Sequence, residues 1–212
     1  TTTLPVVDSR DVLVGVVTVD DVLDVAQEET TEDMQKMAGM QALDAPYLQT
    51  GVGAMIQKRV GWLILLFLGQ MLTATAMTHY EDELAAAIVL AIFIPLIISS
   101  GGNSGSQAST LIIRAMATLD VKLADWWRVL RREVLAGTVL GLVLAGIGVL
   151  RIVLWPAREE LYGPHYLAVS FTVGFSLVGV VLFGSVVGAM LPFILRSFKL
   201  DPAVCSAPFV AT

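Results

Sequence analysis

Two kinds of hydrophobic pattern divide the chain near residue 59. Before it, short β-branched runs and acidic helical stretches alternate; after it, long apolar runs are separated by short polar connections. Leu4-Pro-Val-Val-Asp8 and Val12-Leu-Val-Gly-Val-Val-Thr18 read as two strands joined at Asp8-Ser-Arg-Asp11, a hairpin pattern. From Asp20 the spacing turns helical, with Thr18 placed to cap it. Thr31, ahead of Glu32 and Asp33, reads as a second helix start, with Met34, Met37 and Met40 as its apolar stripe and Asp44-Ala-Pro46 as its end. Residues 50–58 predict a further helix leading into the first long apolar run.

Four such runs follow, at 60–78, 84–113, 134–153 and 166–195, each long enough for the roughly 20 residues a bilayer requires. Asp201-Pro202 opens a fifth. The pattern predicts a mainly α, polytopic helical membrane protein preceded by a smaller α+β segment. Both ends read as cut, so the chain is expected to be a piece of a longer protein.

One apolar run is interrupted at bilayer depth by Ser99-Ser-Gly-Gly-Asn-Ser-Gly-Ser-Gln107. Lipid cannot hydrogen-bond such groups, so they must face protein or a water-filled path. Pro95 and the Gly101-Gly102 pair predict a broken helix here, with carbonyls and small polar side chains of the kind that build ion sites. The plainer alternative is a small-residue seam that lets helices approach closely. Gly137-x-x-x-Gly141-x-x-x-Ala145 and Gly184-x-x-x-Gly188 read as such seams.

Composition agrees: 56% of the 212 residues are hydrophobic and the mean hydropathy is +0.76, too apolar for one soluble domain. The net charge of −6 is unevenly placed, since residues 1–50 hold ten carboxylates against Arg10 and Lys36. No basic footprint for nucleic acid is present, and one cysteine, Cys205, excludes an intrachain disulfide. Lys58 and Arg59 precede the first run, the connection at 79–83 has no Lys or Arg, and Arg114, Lys122, Arg128, Arg131 and Arg132 follow the second. That asymmetry predicts a cytoplasmic N-terminal segment. Trp126 and Trp127 then suit the inner interface and Trp155 the outer.

Catalysis is weakly supported. Gly102-Asn-Ser-Gly105 superficially matches the Gly-x-Ser-Gly of intramembrane proteases, but a serine nucleophile needs a base, and His79 and His165 map to the opposite side. Oxygen-only chemistry remains, and it suits a hard cation such as Mg²⁺ met through its waters. Asp21 and Asp24, spaced to share a helix face, and Glu29, Glu32 and Asp33 form a second oxygen-rich group, although spacing alone favours a solvated acidic surface.

Gly15-x-x-Thr18-x-x-Asp21 resembles the end of a cystathionine-β-synthase-type (CBS) domain. In sequence order this is followed by an acidic connecting helix, a span, and Pro95-Leu-Ile-Ile-Ser-Ser-Gly-Gly-Asn-Ser-Gly-Ser-Gln-Ala-Ser-Thr-Leu-Ile-Ile-Arg-Ala-Met-Ala117. With Val187-Gly-Ala-Met-Leu-Pro-Phe193, Asp201-Pro-Ala203 and Pro208-Phe-Val-Ala-Thr212, the chain resembles the MgtE magnesium channel/transporter family. The resemblance implies a CBS end at 1–28, a connecting "plug" region at 29–58 and a five-helix transmembrane pore domain at 59–212 whose last helix is truncated. It implies a homodimer in the inner membrane, with a Mg²⁺ pore at the two-fold axis that closes when cytoplasmic Mg²⁺ binds. Asp21, Asp24, Glu29, Glu32 and Asp33 match the sensing acids, while Asn103 and the carbonyls of Gly101, Gly102 and Ala211 match the pore lining. Thr18 and Asp21 match positions beside an ATP ribose in the CBS domain. The family pattern also places a pore aspartate beyond Thr212. The alternatives are an ion-coupled carrier of divalent cations on the same scaffold and, more remotely, a nucleotide-sensing membrane module.

Overall fold

The computed structural model describes residues 2–86, 88–204 and 207–211; the lone cysteine, Cys205, lies outside them. Two strands, β1 (Thr3–Val7) and β2 (Leu13–Thr18), pair antiparallel with Thr3 opposite Thr18. Asp8 fixes the turn by accepting from the backbone N–H groups of Arg10 (2.8 Å) and Val12 (3.0 Å). These bonds hold its carboxyl below the usual carboxylate range. In this hairpin Leu4, Val7, Leu13 and Val14 are at least half exposed.

Helix α1 (Val19–Met37) begins where the sequence places Thr18. It then continues through Thr31, which corrects the expected second start there. The Thr30 and Thr31 hydroxyls donate back to the carbonyls of Ala26 (2.7 Å) and Gln27 (2.8 Å), so neither frees the backbone to leave the helix. The helix also stops before the expected end at Asp44–Pro46. Gly39 takes φ +75°, and the N–H groups of Ala38, Gly39 and Met40 return to Met34, Lys36 and Gln35. Helix α2 (Val52–His79) merges the short helix expected at 50–58 with the first span.

The second span differs most from expectation. Short helices α3 (Glu81–Ala86) and α4 (Ile88–Ala91) precede a break at Ile92 and Phe93, after which α5 (Ile94–Ala117) runs unbroken through the glycines. Pro95 sits in the first turn of α5, where its missing N–H costs nothing. The predicted break at 99–107 is therefore absent. Helix α6 (Trp126–Val153), short α7 (Arg158–Tyr162), α8 (Tyr166–Ser197) and short α9 (Ala207–Ala211) complete the order.

Among the described residues, four segments are long and apolar enough to cross a membrane: Val52–His79, Ile88–Ala117, Leu123–Val153 and Tyr166–Ser197. Helix α8 lies between α5 and α6 and packs extensively on both. Two larger core clusters form around it, one with Phe93, Ile152, Tyr162, Val173 and Leu177, the other with Ile112, Met116, Val129, Ala189 and Phe193, and a small third joins Ile113 and Ala203. Helix α2 has no buried residue. Its ties include Trp62 against Gly39, the Trp62–Phe209 ring pair at 6.1 Å, and the Gln41 N–H to the Lys58 carbonyl (3.0 Å).

Candidate ion path and acidic helix

Small residues on one side of α5 let other backbones come close. A Cβ on Gly101 would strike Val180, and one on Gly184 or Gly188 would strike the carbonyl of Gly101 or Gly105. These reciprocal contacts make Gly101-x-x-x-Gly105 and Gly184-x-x-x-Gly188 the two halves of one crossing, locked by a buried Ser104–Ser185 hydroxyl pair at 2.6 Å. The seams at Gly137, Gly141 and Ala145 serve α6 and α8 in the same way; a Cβ on Gly141 would lie 2.9 Å from Val178 Cα.

The same glycines seat α9. A Cβ on Gly102 would stand 3.0 Å from Ala211 Cα, and Ser106 donates to the Ala207 carbonyl at 3.0 Å. Gly102 and Ala211, singled out from sequence, are thus brought together. Gly101 and Gly102 are buried, however, and lie within a continuous helix, whose carbonyls are engaged in the i→i+4 ladder. The expectation that a broken helix exposes their carbonyls is corrected.

The opposite side of α5 carries Ser99, Asn103, Gln107, Thr110 and Arg114, all exposed. At 100° per residue these positions fall within roughly 80° of one another. Among the described residues the Asn103 and Gln107 amides receive no hydrogen bond. A second polar group was missed from sequence although it is an amide in an otherwise apolar run: Gln70 of α2 lines a cavity of about 610 Å³ with Phe67, Pro208 and Ala211.

The acids on α1 do not form one centre. Asp21 belongs to the helix cap: its Oδ2 accepts from the Thr18 backbone N–H and hydroxyl, both at 2.7 Å, and these bonds lower its pKa. Asp24 and Glu32, with Glu28 and Asp44, line a cleft of about 1250 Å³ between α1 and the start of α2. Glu28 was missed although its i,i+4 spacing to both Asp24 and Glu32 puts it on their face. Asp33 borders a separate cavity of about 590 Å³ with Arg196, Lys199 and Asp201, and Glu29 is exposed. Among the described residues no three His, Cys, Asp or Glu side chains converge as metal ligands.

Lys36 joins this helix to the body. Its ammonium donates to Asp201 Oδ2 at 2.6 Å and meets Glu32 Oε1 at 2.7 Å, and these contacts raise it well above an ordinary lysine. Burial pushes the Asp201 carboxyl up, but the bonds from Lys36 and the Ala203 N–H outweigh that and leave it below its ordinary value. Beside the pair, Met37 packs on the small cluster of Ile113 and Ala203. No spacing in a single sequence relates two residues so far apart.

A sequence model of the MgtE family, described as divalent cation transporter, matches residues 94–212. The magnesium transporter MgtE of Thermus thermophilus is 46% identical over 211 residues, covering 100% of this chain and 45% of that protein. Magnesium transporters of the same name from Enterococcus faecalis and Bacillus subtilis are 35% and 30% identical, each covered over 44% of its length. The chain therefore spans less than half the length of these curated relatives.

Proposed function

Because the chain belongs to the MgtE family of divalent cation transporters, we propose that it forms the membrane part of a homodimeric Mg²⁺ channel. The observation that carries this is the exposed stripe of Ser99, Asn103, Gln107 and Thr110 inside an apolar span. A hydrocarbon surface cannot satisfy the amides, whereas a water path shared by two copies can. Neutral oxygens and amides hold a hydrated Mg²⁺ through its waters without trapping it. Asn103 lines this path, and Gly102 with Ala211 brings α9 beside it; Gly101 acts by closing α5 on α8.

The acids of α1 form one wall of a Mg²⁺ sensor, with Asp24, Glu28 and Glu32 on the cleft and Asp21, Glu29 and Asp33 flanking it. They lie outside every apolar span, so their role is regulatory, not permeation. The other wall comes from further domains of the longer protein, which also cover the exposed hairpin. Bound Mg²⁺ neutralises the facing acids, draws α1 in, and acts on α9 through the Lys36–Asp201 contact. The Lys/Arg asymmetry favours a cytoplasmic α1, and the family membership favours the inner membrane for the spans. Residues 1–28 act as a CBS end, 29–58 as the plug and 59–212 as the pore domain. Thr18 and Asp21 are spent on each other in the cap, and no step is assigned to ATP.

Electrical recording of the full-length protein in liposomes tests this reading. Discrete Mg²⁺ current steps that close as cytoplasmic Mg²⁺ rises are expected. Slow saturating flux without unitary steps would replace the channel with a coupled carrier.

A further inference from the structure

Helix α6 is the edge of the bundle farthest from the polar stripe, because α8 stands between it and α5. Its packing face is Val129, Gly137, Gly141, Ala145, Gly148 and Ile152, all buried. On the opposite face, Arg128, Arg131 and Arg132 are exposed at the N-terminal end, with Arg128's side chain 85% accessible. The next turns of that face are apolar and exposed: Leu135 at 69%, Val139 at 52% and Leu142 at 58%. Gly146 continues the line, with nothing within 4 Å of where its Cβ would be, which leaves a shallow notch. Trp126 and Trp127, both about half exposed, form an edge-to-face pair at 5.5 Å beside the arginines. The nearby carboxylates are Asp125, 3.6 Å from Arg128, and Glu133, next to Arg132. Three guanidiniums therefore face outward with one acid on their surface and a second turned partly inward.

We propose that this face is a binding site for an anionic phospholipid. The phosphate sits among Arg128, Arg131 and Arg132, the tryptophans mark the headgroup boundary, and one acyl chain follows Leu135, Val139 and Leu142 toward the Gly146 notch. Guanidiniums bind phosphate oxygens in a fork and are weakly hydrated, which suits a headgroup region. A helix bearing only positive charge would attract anions without placing them; here the apolar track directly below adds the second contact that a lipid alone supplies. The proposal does not depend on the channel reading, because the face points away from the polar stripe.

Native mass spectrometry of delipidated full-length protein, titrated with phosphatidylglycerol or phosphatidylcholine, tests it. Each arginine near an anionic surface contributes about a fivefold gain, so the Arg128→Gln/Arg131→Gln/Arg132→Gln variant should lose on the order of a hundredfold in phosphatidylglycerol affinity. Phosphatidylcholine binding should not change, and Arg→Lys at the same positions should keep the charge attraction but lose part of the preference along with the guanidinium fork. Glycerol phosphate in solution should not displace the lipid, since it lacks the acyl contact. Should the triple variant fail to fold, Arg131→Gln alone should still lose about fivefold. Equal binding of the two lipids by the parent, or an undiminished phosphatidylglycerol preference in the glutamine variants, would overturn the site. Displacement by glycerol phosphate would overturn the acyl track.

Discussion

Where α5 crosses α8, Gly101 and Gly105 meet Gly184 and Gly188 backbone to backbone, around a buried Ser104–Ser185 hydrogen bond. Where α1 and α2 meet the same body, neither helix buries a single residue, and the ties are individual: Lys36 to Asp201, Met37 to a two-residue cluster, Trp62 to Phe209. Close packing without flexible side chains admits few alternative arrangements, while a few polar and ring contacts can be exchanged for others. The bundle is suited to hold the proposed ion path in shape and the limb to move against it. That division also assigns costs: substitutions in the crossing should act on the fold, substitutions on the outward faces on transport.

The largest effect is expected for Gly188→Val. Its Cβ would be driven into the Gly105 carbonyl, a backbone atom that cannot turn aside. A loss above about 3 kcal/mol is expected, seen as failure to recover folded protein from mild detergent. Gly61→Ala on α2, where nothing lies within 4 Å, should stay within about 1 kcal/mol of the parent. Equal tolerance at the two sites would dissolve the contrast between bundle and limb.

Asn103→Leu separates the two faces of α5. Because Asn103 is exposed on the face opposite the crossing, stability in detergent should be within about 0.5 kcal/mol of the parent. Mg²⁺ uptake into liposomes by the full-length protein should nevertheless fall at least about tenfold, as an apolar side chain replaces the amide proposed to meet the ion's waters. Unchanged flux would remove the stripe from the ion path. On the limb, the full-length protein with Asp21, Asp24, Glu29, Glu32 and Asp33 changed to Asn or Gln should conduct at Mg²⁺ levels that close the parent. A ligand that prefers the closed state by roughly 3 kcal/mol shifts that balance about a hundredfold, so loss of the preference is readily seen. Closure over the same Mg²⁺ range would leave these acids a solvated face.

Sequence periodicity located the four spans, the hairpin and the Thr18 cap because each is a local property of adjacent residues. It failed at two kinds of place. Thr31 has the chemistry of a cap, yet its hydroxyl bonds back to Gln27 and the helix passes through it. The glycines of α5 resemble a helix break because a glycine's permissiveness is visible in sequence, whereas the partner backbone that makes it necessary, at Gly184 and Gly188, lies on another helix. The polar stripe of Ser99, Asn103 and Gln107 was recognisable as a group that lipid cannot satisfy; that it lies opposite the seam emerged only once the helix proved continuous.

The smallest effect expected is at Lys36–Asp201, and its pH dependence identifies it. Both side chains are partly exposed, at 28% and 40%, so solvent screening limits the pair to about 0.5 kcal/mol. Lys36 is raised above 10.5, so its contribution is present below that value and lost as pH climbs through its folded pKa. Asp201 is lowered below 3.8, so its contribution is present above that value and lost as pH falls through its folded pKa. Glu32 shares the lysine, and Asp33, Arg196 and Lys199 border the same cavity; their charges add a background that Asp201→Asn leaves in place. Backbone amide exchange in α1, compared between parent and Asp201→Asn, should therefore rise by about twofold in the variant at neutral pH. The difference should hold steady from pH 5 to 9, as the neutral range lies inside both limits, and should narrow below about pH 4 as Asp201 itself is protonated. A difference that instead changed around pH 6 to 7 would point to a histidine-like group in the coupling, which neither side chain of this pair can supply.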